Sequence, residues 1–204
     1  MADEIKIKEL LSRRIGSFEG RPNVWPSLKE AEKRLKEEKW LRIYLGIDPT
    51  GPSLHLGHTI PLLFLKQLLS IGHKPVLVIG DFTAMIGDPT GKDSARKALS
   101  EQEIKDNLKS YLDQISKIIA QESFEVNFNS SWLSKISLEE FMHISSLVSV
   151  YLLEDRSLFQ ERRKKGNFLG VNEFLYPVFQ GYDSVAMKID GEVGGSDQVF
   201  NMLM

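Results

Sequence analysis

Residues 41–80 read LRIYLGIDPTGPSLHLGHTIPLLFLKQLLSIGHKPVLVIG. The run LRIYLGI (41–47) predicts a strand, DPTGPS a turn, and the apolar stretch through Leu69 a helix closed at Gly72. PVLVIG (75–80) is continuously apolar, as expected of a parallel strand buried on both faces. Strand, turn, helix, strand is a βαβ unit, so the fold class is α/β, with a Rossmann-like parallel sheet.

Working outward, SLKEAEKRLKEEKW (27–40) predicts a charged surface helix capped by Ser27, and residues 1–40 form an N-terminal helical segment. Residues 41–204 then form the catalytic-type domain. Within it, roughly 100–165 read as a mostly helical insertion around the short run FEVNF. NEFLYPVFQGYDSVAMKI carries a helix into another strand, and DGEVGGSDQVFNMLM begins a further helix.

A chain of 204 residues is long enough for one large domain with a core. Its net charge of -2 supplies no global basic field, so any RNA contact has to come from a local patch such as RRKK (162–165), which surface solvation explains equally well. There is no cysteine, which excludes disulfides, thiolate metal sites and a thiol nucleophile. No run approaches the ~18 apolar residues that a membrane span needs. The sequence therefore reads as an unexported, cytoplasmic protein.

Two of the four histidines, His55 and His58, fall at the start of the helix after the first strand. Free backbone N–H groups and the helix dipole favour an anion there. Imidazole N–H donors at that place suit charge building on a pentacovalent phosphate, and Gly57 between them permits close approach of a nucleotide. On spacing alone, two surface polar residues or half a metal site remain equal alternatives. In IGDPTGKDSAR (86–96) the breakers Gly87, Pro89 and Gly91 mark a loop, with Lys92 and Arg96 able to meet phosphates or simply to be solvated. It is not a Walker loop, because Ile86 stands where the first glycine belongs and Asp93 replaces the Ser/Thr. In YPVFQGYD, Tyr176, Gln180 and Asp183 share one helix face. Without further context, Tyr176 reads as a core aromatic and Asp183 as a C-terminal turn residue. GGSDQ (194–198) reads as a glycine turn into a helix capped by Ser196 or Asp197.

YLGIDPTGPSLHLGH resembles the first signature of the class I aminoacyl-tRNA synthetases, a His-x-Gly-His at the head of a helix. Together with IGDFTAMIGDPTGKDSAR, EFLYPVFQGYDSVAMK and GEVGGSDQVFNMLM, it resembles the bacterial tyrosyl-tRNA synthetases from Tyr44 to the last residue. The resemblance implies adenylation of L-tyrosine by ATP, with Mg²⁺ escorting the phosphates, and transfer of the aminoacyl group to tRNA(Tyr). It assigns His55, His58, Lys92 and Arg96 to catalysis as donors to developing charge. It places Tyr44 and Asp183 at the substrate phenol, Tyr176, Gln180 and Asp88 at its ammonium, Thr83 beside it, and Gln198 at the aminoacyl end. Gly46, Asp48, Thr50, Gly57, Gly195 and Asp197, with the two histidines, are assigned to ATP. No protein metal site is implied, and Glu192, where some bacterial members carry Gln, is left out of the site.

The helices from about 130 to 165, with FMHISSLVSVYLL (141–153) apolar nearly all round, resemble the family's insertion that forms a homodimer interface, with core packing as the alternative. The second class signature, a KMSKS loop, is absent, and so are C-terminal tRNA-binding regions. The expectation is a truncated synthetase, weak or inactive in adenylation by itself. Two further readings stay open: a nucleotidyltransferase of the HxGH group, and a non-catalytic RNA-binding or scaffolding relative.

Overall fold

The computed structural model describes residues 4–18, 21–88, 99–154 and 156–204. Lys92 and Arg96, the two cations expected at the phosphates, lie outside them. Helix α1 (Glu4–Arg14) leads to a two-stranded antiparallel ribbon, β1 (Ser17–Phe18) and β2 (Arg21–Pro22), and then to α2 (Leu28–Glu37). Ser27 caps α2 by accepting from the Glu30 N–H at 3.1 Å.

The expected βαβ unit follows as β3 (Arg42–Ile47), α3 (Leu56–Ser70) and β4 (Lys74–Ile79). A short helix α4 (Thr83–Ile86) comes next, then α5 (Glu101–Ser116) and strand β5 (Glu125–Phe128). Helices α6 (Ser130–Leu133), α7 (Leu138–Ser146), α8 (Val150–Glu154) and α9 (Ser157–Lys164) precede the long α10 (Val171–Met187). Strand β6 (Gly191–Glu192), a 3-10 turn and α11 (Val199–Met202) close the described chain.

The four strands β5-β4-β3-β6 form one parallel sheet. Within the mostly helical stretch over 100–165, FEVNF supplies β5 of the main sheet. Its residues are only partly buried, so the run lacks the continuous apolar character that exposed β4 in the sequence. β4 is buried along five of its six residues.

Side chains alternate across the sheet as strand geometry requires. Leu45, Ile47, Leu77 and Ile79 face a core built with Ile7 and Leu10 of α1, Leu62, Leu65 and Leu68 of α3, and Tyr111 and Ile115 of α5. Tyr44, Val76 and Val78 face the opposite side, where they pack with Met187 of α10. Gly72 adopts φ 92°, in the left-handed region that lets the chain leave α3. The neighbouring His73 is buried and serves the scaffold. Its Nδ1 accepts from the Leu41 N–H and its Nε2 meets the Leu35 carbonyl, each at 3.1 Å, and burial holds its pKa below the ordinary imidazole value.

Each strand of the sheet hands over to a polar or glycine residue at its carboxyl end: Asp48 after β3, Gly80 and Asp81 after β4, Asn129 after β5, and Gly194 shortly after β6. Strand order reverses between β3 and β6, since the chain runs outward through β4 and β5 and then returns to the other side of β3. In open α/β sheets a ligand crevice opens outside such a reversal.

Candidate active site

A cavity of about 970 Å³ lies at these strand ends. Its walls include Tyr44, Gly46, Asp48, Thr50, His55, Gly57, His58, Thr83, Asp88, Tyr176, Gln180, Asp183, Gly195, Asp197 and Gln198. The structure thus brings together every expected site residue that falls within its described range. That size suits a small-molecule ligand of several rings.

Asp48 organises the floor. Its Oδ1 accepts from Thr83 Oγ1 at 2.7 Å and its Oδ2 from the Tyr176 hydroxyl at 2.8 Å. The site tolerates this arrangement because residue 80 is glycine: a Cβ there would sit 1.8 Å from Asp48 Oδ1 and 2.4 Å from Thr83 Oγ1. Two residues that carried no signature in the sequence complete this wall. Asn129 donates from Nδ2 to Thr83 Oγ1 at 3.0 Å and to Asp183 Oδ2 at 3.2 Å, and Trp132 Nε1 donates to Asp183 Oδ1 at 2.7 Å. Asn129 is itself fixed by the Phe82 N–H, which donates to its Oδ1 at 3.0 Å.

Burial dominates the electrostatics here. It pushes the Asp183 carboxyl up to about 7, against the hydrogen bonds from Trp132 and Asn129 and with help from the Asp48 and Glu192 charges. Tyr176 and Tyr44 are both raised by burial first and by carboxylates second, Asp48 for the former and Glu192 for the latter. Both phenols therefore stay protonated, with Tyr176 donating to Asp48 and Tyr44 to Glu192. Tyr44 accepts from Ser184 Oγ at 3.1 Å and is hydrogen-bonded to Glu192.

Glu192 belongs in this wall, which corrects its exclusion from the sequence reading. It lines the cavity, accepts from Gln180 Nε2 at 3.0 Å, and burial raises its pKa. Adjacency to the glycine turn was the available signal, but a single carboxylate beside GGSDQ carries no spacing pattern by which to place it.

The histidines line another part of the same cavity, at the start of α3. His55 is the N-cap, its Nδ1 accepting from the Gly57 N–H at 3.1 Å, and His58 Nδ1 accepts from the His55 N–H at 3.2 Å. The two rings sit 3.9 Å apart, tilted by 39°. A neutral imidazole whose Nδ1 accepts carries its proton on Nε2, so each ring keeps one N–H donor. Burial, and then the neighbouring His55, lower the His58 pKa and hold that ring neutral. Histidine is an unusual N-cap, so the sequence pointed to donors here without revealing that the same rings close the helix end.

The turn ahead of them is held from α5. Asn107 Nδ2 donates to the Pro49 carbonyl at 2.9 Å, and Gln114 bridges the Leu54 N–H and the Pro52 carbonyl. Gln198 Nε2 donates to Asp88 Oδ2 at 2.8 Å. Contrary to expectation, neither Ser196 nor Asp197 caps the turn that contains them; it starts at Gly195 with no side-chain cap bond.

A model of the tRNA synthetases class I (W and Y) matches residues 36–204. The tyrosine–tRNA ligase of Carboxydothermus hydrogenoformans is 45% identical over 203 residues, which are 99% of this chain and 49% of that protein. That of Bdellovibrio bacteriovorus is 48% identical over 177 residues, 87% of this chain and 44% of that one. The solved structure of a C-terminally truncated mitochondrial tyrosyl-tRNA synthetase from Coccidioides posadasii superposes with a TM-score of 0.76 at 29% identity, covering 97% of this chain and 56% of that one. Its Aspergillus nidulans counterpart gives 0.78 at 26%, covering 97% and 59%. The chain spans about half the length of the curated relatives it matches.

Proposed function

The chain belongs to the class I tRNA synthetases of the W and Y group, and from that premise we propose that it carries the tyrosine-activating site of a tyrosine–tRNA ligase. The observation that carries this reading is the division of one cavity into two walls. One wall offers carboxylates and phenols in a buried set, and the other offers imidazole N–H donors at a helix N-terminus.

Tyrosine fits the first wall through its own polar groups. Its ammonium is suited to Tyr176, Asp88 and the Gln180 oxygen, and its phenol to Tyr44 and Asp183. A buried pair committed to one hydroxyl rejects phenylalanine by leaving its own groups unpaired, a discrimination for which tyrosyl-tRNA synthetases are themselves the standard example. ATP fits the second wall, with its phosphates at the start of α3 and its ribose at Gly195 and Asp197. A tyrosine carboxylate oxygen then attacks the α-phosphorus, the bond to the β-phosphate breaks, and pyrophosphate leaves with that electron pair. His55 and His58 donate from Nε2 to the charge that builds on the α-phosphate. Positioning supplies the rest, and no side chain acts as nucleophile.

The adenylate would pass to the 3′ end of tRNA(Tyr) with release of AMP, and the bacterial relatives favour the cytoplasm as the place of that reaction. Mg²⁺ would escort ATP, held by its phosphates. No described helix is long and apolar enough to cross a membrane. A homodimer is favoured by the apolar face that α7 and α8 expose, where Leu138, Met142, Leu147, Val150 and Tyr151 are each 60% or more exposed.

Calorimetric titration with L-tyrosine, L-phenylalanine and L-tryptophan tests the substrate. Tyrosine alone is expected to bind; preference for either competitor would overturn the assignment.

A further inference from the structure

Four polar side chains that line the cavity, Gln180, Glu192, Asp88 and Gln198, are linked through a fifth residue that does not itself line it. Gln180 Nε2 donates to Glu192 Oε1 at 3.0 Å, and Gln198 Nε2 donates to Asp88 Oδ2 at 2.8 Å. Both glutamine oxygens meet the same donor. Asn201 Nδ2 donates to Gln180 Oε1 at 3.0 Å and to Gln198 Oε1 at 2.8 Å. Asn201 is fully buried, on α11. Its own Oδ1, also buried, accepts nothing among the described residues.

This pattern fixes the sense of both amides. Turning Asn201 over would replace two hydrogen bonds by two oxygen–oxygen contacts, and would leave its nitrogen facing no acceptor. Turning Gln198 over would set its oxygen against the Asp88 carboxylate. Gln180 is the vulnerable member, because burial favours the neutral form of Glu192. A protonated Glu192 could donate to the Gln180 oxygen and stabilise the reversed amide. Asn201 opposes that reversal by donating to the oxygen, which keeps a second lone pair for a ligand.

We infer that Asn201 is a positioning residue, which sets the amide orientation of Gln180 and Gln198 and thereby makes the ammonium pocket an acceptor. The inference rests on the tyrosine reading for its consequence, because an ammonium needs the Gln180 oxygen and is repelled by its NH₂. It does not rest on that reading for its geometry, so the two fail separately.

The test has two arms on the 204-residue chain. By NMR on the unliganded protein, both Asn201 side-chain amide hydrogens should exchange with solvent at least about tenfold more slowly than a free amide, since both are committed. Exchange at the free rate overturns the inference whatever the protein binds. In the second arm, Asn201→Leu keeps the branched heavy-atom shape and removes both donors, while Asn201→Ala also removes the packing. Tyrosine should bind about tenfold more weakly to both, with the Gln180 and Gln198 amide resonances shifted, on the scale of one hydrogen bond to a charged group. Wild-type affinity in the Leu variant, with loss only in Ala, would show a packing role and sink the inference. If the wild-type chain binds no tyrosine, the substrate assignment falls and the exchange arm alone decides Asn201. The exchange arm also stands if a variant fails to fold.

Discussion

The Tyr176 hydroxyl donates to Asp48 Oδ2 at 2.8 Å across 128 residues of chain, tying the middle of α10 to the end of β3. The same carboxylate accepts from Thr83 through its other oxygen, so one side chain joins β3, α4 and α10.

Tyr176→Phe removes that donor from Asp48 and leaves the bond from Thr83 in place. Thermal or urea melts should show a loss of about 1 kcal/mol, the usual net worth of one hydrogen bond. Tyrosine affinity should fall about tenfold with it, as measured by titration. Unchanged affinity would take Tyr176 out of the substrate wall.

His58→Ala should slow tyrosine-dependent ATP–pyrophosphate exchange by about 10²-fold while tyrosine affinity barely moves, on the scale of losing one oxyanion-type donor. His58→Asn, which keeps a side-chain acceptor for the His55 N–H, separates the helix cap from the chemistry. It should regain melting temperature without regaining rate. An exchange rate equal to wild type in either variant would remove His58 from the mechanism.

Asp183 makes the fold pH-dependent in a definite direction. Its carboxyl rises from the ordinary 3.8 to about 7, so the native state holds a proton that the unfolded chain has released. The stability it contributes is fully present below pH 3.8 and is lost as pH rises through about 7. Asp183→Asn removes this titration. Melting temperatures compared from pH 4 to pH 8 should shift steadily in favour of the variant, even as tyrosine binding is lost. A difference that stays constant across that range would refute the assignment.

Gly80→Ala should disable the site while leaving its polar residues in the sequence. The added Cβ would fall 1.8 Å from Asp48 Oδ1, a distance that no rotamer shift of the alanine can relieve. A loss of about 1–3 kcal/mol, typical of overpacking, is expected in melts, together with tyrosine binding at least about tenfold weaker.

What could be read from sequence alone follows from how locally each feature is encoded. β4 announces itself because it is apolar on both faces, and α2 because Ser27 and its charge spacing are contiguous. β5 alternates apolar and polar residues as a half-buried strand does, but it is short, and its place in the sheet is set by its pairing with β4. The site residues in runs such as YPVFQGYD were visible. Asn129, Trp132 and Asn201 were not, since each acquires its role from a partner about 20 to 55 positions away, or from convergence of two amides on one donor.

Because all four parallel strands run out into the cavity, a bound ligand would be fastened to the end of every strand at once. Its binding free energy would then oppose the opening of the sheet as a unit. Amide hydrogens in β3, β4, β5 and β6 should gain protection together on ligand addition, so that occupancy registers as a slowing of exchange through the whole sheet.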